Sequence, residues 1–332
     1  MIPTIRLTLL GLLLYLYFPL KAQDQYDYTW LLGTPGFSPQ TFAGGDWIDF
    51  SQGNPAVTYF QTPIDLWVPC VVSDQNGVLQ FYSNGCQIMN HQHQPMENGD
   101  GISSGPIHDQ YCIHTGYPVG NGLLSLPFPG HEGQYYHFHM RQYAPSYLTW
   151  DLLWSRIDMN ANNGLGKVLE KNMPLVQDTL LPSVSAVRHA NGRDWWIIVG
   201  EQFTDDTYCF LLDTSGIQNA PIIRHDSWIG PDQGAGMLAF SPDGKKMARS
   251  GHGLPAAFRI YDFDRCSGQL SNPVTVTIPE AEAFVSWACF SPNSRYLYLT
   301  NEVSRLYQYD TWATDISASV QLVGEYDGFL AD

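Results

Sequence analysis

Positive charge is scarce in this chain: 16 Lys and Arg stand against 32 Asp and Glu in 332 residues, a formal net charge of −16. A surface this acidic repels phosphate backbones, and no basic stripe offsets it, so nucleic acid is excluded as a partner. Charged residues of either sign make up only 14%, and no stretch of useful length repeats apolar residues at the helical period. That excludes a helical bundle or coiled coil. Past Leu20 there is no long apolar run, so no membrane span is expected after the leader. Paired CxxC spacing is also missing, which removes the usual zinc-ribbon and redox motifs.

What is abundant is turn and strand material: 30 Gly, 22 Pro and 14% aromatic residues. The chain begins with Arg6, an apolar run from Leu7 to Leu20, and Lys21-Ala22-Gln23. This order reads as a secretory signal peptide over residues 1–22, leaving 23–332 as the exported domain. Export permits disulfides among Cys70, Cys86, Cys112, Cys209, Cys266 and Cys289. Six thiols allow 15 pairings, and Cys70 with Cys86, flanking one hairpin, is the expected pair. Cys209 and Cys289 read as small buried residues of strands.

Five corners recur roughly every fifty to sixty residues, a period typical of solenoids and propellers. They are Asp74-Gln-Asn-Gly77, Gly130-His-Glu-Gly133, Ala190-Asn-Gly192, Pro242-Asp-Gly244 and Pro292-Asn-Ser294. Asn-Gly and Asp-Gly supply the positive φ that a tight hairpin needs. An apolar strand precedes each corner. After the corners come Val78–Ser83, Gln134–Met140, Trp195–Val199, Lys245–Ser250 and Arg295–Thr300, none containing Pro. Third strands end at Asp158, Asp213, Asp262 and Asp310. Fourth strands are expected at Lys167–Glu170, Pro221–Arg224, Pro273–Ile278 and Ser319–Val323. Tyr26–Gly33, Trp47–Phe50 and Ala56–Phe60 add three short aromatic strands ahead of the first corner.

The expected fold is therefore all-β: a β-propeller of four-stranded antiparallel blades, five repeats visible, with six or seven blades in the intact domain. The main rival, a β-sandwich, leaves the repeated corner-strand-Asp-turn order unexplained.

Several residues also carry a family resemblance: Val72–Gly85, His189-Ala-Asn-Gly-Arg-Asp-Trp-Trp196, Phe240-Ser-Pro-Asp-Gly244, Tyr261-Asp-Phe-Asp264 and Phe290-Ser-Pro-Asn293 with Leu306–Asp310. In these the chain resembles the WD-like propeller region of large secreted Bacteroidetes-type proteins, many exported by type IX secretion and carrying gliding-motility-associated sorting modules. The resemblance covers nearly all of the mature chain and implies a propeller, while being almost silent on the ligand. Such proteins continue into further blades, whereas Asp332 falls where a new first strand is expected. The chain is thus read either as a C-terminally truncated piece, which we favour, or as five units closing by pairing the amino-terminal strands with Ser319–Val323.

Candidate sites are few. Gly101-Ile-Ser103-Ser-Gly105 has the letters of a nucleophile elbow, but polar Met96–Asp100 precede it and Pro106 follows, where the motif needs a strand and a helix. His91 with His93, and His137 with His139, would share a strand face and reach one metal. Neither pair has an obvious third ligand, and each reads as a polar strand face. Asp158–Gly164 starts like a calcium loop, yet the bidentate position is Leu169, with Glu170 one place late. Calcium is therefore the only cofactor entertained, and none is expected. Trp195 and Trp196 put one ring on each side of a blade. Trp47, Trp67, Trp150, Trp228 and Trp312, where exposed, would suit stacking on sugar rings.

The function expected is an exported binding or adhesion module for protein or glycan partners at the cell surface, with no catalysis of its own. The connection His91–Asp109 is expected to shape the binding surface. The alternative is a secreted carbohydrate-active propeller enzyme, a glycosidase or lyase, which needs two carboxylates facing each other across a cleft.

Overall fold

The computed structural model describes residues 26, 28–33, 44–51, 53–113, 115–204, 206–219, 236–251, 257–279, 285–301 and 304–326. The leader, the fourth strand expected at Pro221–Arg224, and Trp228 lie outside these residues. Among them the chain is a β-propeller whose strands lie in five antiparallel sheets, the longest of which holds two successive blade-like groups, so that six such groups can be followed along the described residues. Blade one is β1 (Thr29–Gly33), β2 (Gly44–Asp49) and β3 (Ala56–Gln61), and blade two is β4 (Cys70–Ser73), β5 (Leu79–Ser83) and β6 (Ile88–Asn90). A short helix, α1 (Pro106–Tyr111), follows blade two.

Blades three and four form one continuous sheet. It holds β7 (Leu123–Pro127), β8 (Gln134–Tyr143), β9 (Leu148–Asp158), β10 (Lys167–Arg188), β11 (Trp195–Glu201), β12 (Thr207–Asp213) and β13 (Gly216–Asn219). The 22-residue β10 is the fourth strand of blade three along Lys167–Gln177 and the first strand of blade four along Val184–Arg188; Leu180 pairs with both neighbours. Pro174 and Pro182 sit inside it, and the register against β9 shifts repeatedly beside Pro174. Bulges are where a strand tolerates a missing amide donor.

Blade five is β14 (Gly236–Phe240), β15 (Lys246–Gly251), β16 (Ala257–Asp264) and β17 (Gln269–Thr277). Blade six is β18 (Val285–Phe290), β19 (Tyr296–Asn301), β20 (Arg305–Asp310) and β21 (Gln321–Glu325). First strands of consecutive blades pack side by side: β4 on β7, β7 on β10, β10 on β14 and β14 on β18. That arrangement sets the blades around a common axis. The closure by pairing amino-terminal strands with 319–323 is not what forms, because β21 pairs with β20 and β1–β3 make their own sheet.

The corners are first-to-second-strand turns of blades two to six. Gly77, Gly133, Gly192, Gly244 and Ser294 occupy one position with φ of 80, 76, 74, 70 and 63°. Ser294 accepts a conformation that glycine usually takes. In return its hydroxyl accepts the Asp243 amide of the neighbouring corner at 2.9 Å. The Phe-Ser-Pro prefix works alike in both copies: Ser241 Oγ donates to Asp243 (2.7 Å) and accepts the Lys246 amide (2.9 Å), and Ser291 does the same with Asn293 (2.6 Å) and Tyr296 (2.9 Å). Acidic third-strand ends answer a basic residue at the start of the second strand. Lys246 Nζ lies 3.0 Å from Asp262, and Arg295 lies 2.6 Å from Asp310.

Apolar side chains gather between blades, one cluster per seam. Leu31 meets Leu79, Tyr82 and Met89 between blades one and two; Phe81 and Ile88 meet Tyr135 and Ile157 between two and three. Phe138 and Leu152 meet Ile197 and Phe210 between three and four. Trp196 and Ile198 meet Met247 and Tyr261 between four and five, and Phe258 and Ile260 meet Leu297 and Tyr309 between five and six. Blades two to five therefore bury both faces of alternating strands, the pattern that a radial sheet stack requires.

The expected Cys70–Cys86 disulfide is corrected. Cys86 is bonded to Cys112, with Cα atoms 5.6 Å apart, and Cys70 is free beside Ser125 Oγ at 3.3 Å. Cys86 lies past the end of β5, where it faces the helix-bearing connection rather than the hairpin. Cys209 is buried as expected, while Cys289 is an exposed thiol. In the described residues no helix is long and apolar enough to cross a membrane.

Candidate functional site

The connection 91–113 does not stand free over the propeller. Met96, Ile102, Ser103 and Ile107 are buried, Val168 donates its amide to Glu97 O at 2.9 Å, and Asn98 donates to Val168 O at 2.9 Å. The disulfide fastens its far end. It therefore splices blade two to blade three, in the place where blade two has no fourth strand among the described residues.

Inside that splice lies the serine with the elbow letters. Ser103 has φ 54° and its Oγ is 2.9 Å from His139 Nδ1. His139 Nε2 is 3.0 Å from Ser155 Oγ, and Ser155 Oγ accepts the Asn172 amide at 3.1 Å. Asn172 closes the ring by accepting the Ser103 amide at 3.0 Å and donating to Gly101 O at 2.9 Å. Sequence reasoning missed this serine–histidine contact, which joins residues far apart in the chain. It is not a triad: the second imidazole nitrogen meets a hydroxyl rather than a carboxylate, and Ser103, His139 and Ser155 are all fully buried. Burial, then the neighbouring His137 and Arg141, hold His139 well below the ordinary histidine range. The imidazole stays neutral and tethers a loop.

His137 stacks on His139 with ring centroids 5.5 Å apart, and its Nδ1 lies 2.8 Å from Ser125 Oγ. Burial pushes its pKa down to about 4. The pair does share a face, as expected, but serines rather than acids or thiols face it. His91 and His93 fall in a turn, not on a strand. His93 takes φ 60° and packs against Phe60 (4.5 Å) and Tyr82. In Asp158–Gly164 the carboxylate of Asp158 accepts the Asn160 amide at 2.9 Å, and Asn162 and Asn163 adopt φ of 50 and 56°. That is an Asx turn. Among the described residues no three His, Cys, Asp or Glu converge as a metal site.

Two cavities among the described residues bear on binding. One, of about 610 Å³, is apolar and runs beside the axis past Trp30, Leu32, Trp67, Pro118 and Trp287. The other, of about 770 Å³, opens on the corner face and is mostly polar. Three corners build its wall: Asp74–Asn76 of blade two, Gly130–Gly133 of blade three, and Arg188, Arg193 and Trp195 around the corner of blade four. Trp195 and Trp196 do project to opposite sides. Trp196 donates its indole N–H to Arg265 O across the seam at 2.8 Å, and Trp195 turns to the basin, with the Arg188 guanidinium 4.0 Å over its ring. Exposed His131 stacks on Phe128 at 3.8 Å.

Two residues of this lining keep a buried polar atom without a partner: Trp195 Nε1, a donor, and Gln134 Oε1, an acceptor. Such groups cost about 1–3 kcal/mol each unless something satisfies them. A donor and an acceptor beside aromatic rings, at the meeting of three corner loops, form the strongest candidate binding site among the described residues. No family model and no curated protein matches the chain. Solved structures similar to it are propeller-like. The Dos1 propeller is 13% identical over 90% of this chain and 68% of that one, with a TM-score of 0.49. Kluyveromyces lactis Hsv2 is 9% identical over 89% and 75%, at 0.45. A Bacteroides uniformis protein, provisionally described as a 6-phosphogluconolactonase, is 12% identical over 86% and 78%, at 0.49. Likenesses this distant say nothing about what this chain binds.

Of the two carboxylates among the described residues of the basin, Asp74 is occupied. Its Oδ1 accepts the Asn76 and Val78 amides at 2.8 and 3.1 Å, which fixes its own corner. Glu132 is exposed beside it in the next blade.

Proposed function

We propose that this chain is an exported propeller module that binds a glycan through the corner-face basin, at the cell surface, without catalysis. The observation that carries the reading is a polar basin lined by Trp195, Tyr135 and His131, two of whose lining residues, Trp195 and Gln134, each keep a buried polar atom without a partner. Sugars present hydroxyls that donate and accept beside flat C–H faces, which suit such a wall. Export is supported by the signal-like leader and by the Cys86–Cys112 bridge, since disulfides persist in oxidising compartments. Passage by type IX secretion rests on the resemblance of the repeat motifs and belongs to the same proposal.

The test is a glycan array with the mature chain, followed by calorimetry on any hit. Trp195→Ala and Gln134→Ala are each expected to weaken binding at least about tenfold, roughly 1.4 kcal/mol. An array without hits, or hits indifferent to both substitutions, overturns the reading. The enzymatic alternative has Glu132 as its one uncommitted acid in the basin. Release of reducing ends from a polysaccharide, lost in Glu132→Gln, would establish it instead.

A further inference from the structure

The wall that blade four gives the corner-face basin is cationic. Arg188 ends β10 and pairs directly with Trp195 at the start of β11, so both side chains stand on one side of the sheet. That places the guanidinium 4.0 Å over the indole, the arrangement in which the negative face of the ring favours a cation. Its Nη1 donates to Gly192 O and Arg193 O of its own corner at 3.3 and 3.2 Å. Arg265 of blade five donates from Nε to Arg188 O at 2.7 Å and from Nη2 to His189 O at 3.2 Å. A second guanidinium thus backs the same corner.

Charge is spread unevenly over the three walls. Arg193 is neutralised by Asp194, with Nε 2.7 Å from Oδ1 and Nη2 3.0 Å from Oδ2. Arg188 lines the basin with no carboxylate in ion-pair reach among the described residues; its hydrogen bonds go to backbone carbonyls. Blades two and three bring Asp74 and Glu132 to the other walls. A ligand that fits such a basin turns one anionic group toward blade four and neutral donors toward the rest. A polyanion would set its further charges against Glu132 and Asp74.

We propose that the basin selects a sugar acid, a uronate whose carboxylate is held by Arg188 while its hydroxyls donate to Glu132. This rests on the glycan reading of the same site and names the class of sugar. A guanidinium stacked on an indole keeps its N–H edges clear of the ring, and a coplanar carboxylate takes two parallel hydrogen bonds from one such edge. With Nη1 spent on the corner carbonyls, Nε and Nη2 supply that edge. The stack and the corner bonds fix it before any ligand arrives, which lowers the ordering cost of binding.

The test is calorimetry of the mature chain 23–332 with galacturonic, mannuronic and guluronic acid oligosaccharides, each beside its carboxyl-reduced form, which keeps linkage and loses charge. At least one acid is expected to bind about tenfold or more tighter than its reduced partner. That preference should weaken between about 50 and 500 mM salt. Arg188→Gln is expected to bring the ratio to about one, and Arg188→Lys to restore it only in part, since lysine keeps the charge without the fork. Equal binding of every acid and its reduced form, or a preference unchanged in Arg188→Gln, overturns the proposal and leaves the glycan reading standing. Tighter binding of a sulfated oligosaccharide without carboxylates overturns it as well. So does binding to none of these sugars, whereas the broader reading fails only on a glycan array without hits. The comparison of acid with reduced sugar uses the unaltered protein, so it stays decisive should a variant fail to fold.

Discussion

His137 and His139 show how far a single residue's surroundings set its chemistry. Both imidazoles are fully buried on β8, faced by Ser125, Ser103 and Ser155, with Arg141 adding positive charge nearby. A histidine whose folded pKa is depressed opposes protonation of the native state, so the unfolded chain binds more protons below the ordinary value of 6.5. Stability is therefore whole above pH 6.5 and falls as pH drops toward the folded value of about 4 for His137. That single group is expected to remove about 3 kcal/mol over the window. Urea midpoints measured from pH 7 to 4.5 should fall steeply, and His137→Phe should flatten the slope. Ser103→Ala leaves His139 Nδ1 without its partner and should cost about 1–3 kcal/mol, read as a lower midpoint at neutral pH. The letters Gly-x-Ser-x-Gly announced neither role. A loop serine finds its histidine only through the splice of blade two onto blade three, and nothing local encodes that meeting.

Strands and corners were far more legible. Asn-Gly and Asp-Gly turns carry their own backbone requirement, so the five corners and the acidic strand ends stand where the repeat placed them. Blade one escaped as a unit because no Asx-Gly corner marks it. β10 looked like separate pieces because Pro174 and Pro182 interrupt its text, although bulges accommodate them. Two glycines of like conformation separate backbone strain from packing. At Gly192, φ 74°, an added Cβ meets nothing within 4 Å; at Gly268, φ 71°, it would come 2.8 Å from the Trp196 ring. Gly192→Ala should therefore cost about 1–2 kcal/mol from backbone strain alone, and Gly268→Ala clearly more, with Trp196 pushed off its bond to Arg265. Thermal denaturation of both variants separates the two contributions. Arg249 on β15 is a second test at this scale. Its buried guanidinium donates to the carbonyls of Glu201, Thr204 and Asp206 at 2.7, 2.6 and 3.2 Å, binding blade five to a loop of blade four. Arg249→Met should cost about 3 kcal/mol or more by leaving those acceptors dry, and raise hydrogen exchange in residues 201–207.

For the molecule as a whole, the period of the corners was enough to indicate blades round an axis, but not which cysteines meet or which face binds. Both depend on long connections whose course the repeat does not govern. Cys86–Cys112 encloses the stretch that stands in for a fourth strand. On a chain-entropy account its loss should cost about 3–4 kcal/mol, checked by the midpoint of a Cys86→Ser, Cys112→Ser variant against the oxidised protein. The continuous strand β10 has a mechanical consequence. A ring of separate sheets can breathe at every seam, but here one backbone ladder crosses between the third and fourth sheets. Those two must tilt together, like two leaves stitched along one spine. Flexing of the ring is thus left to the remaining joints, and an opposing pull should open the molecule on the side away from that stitch.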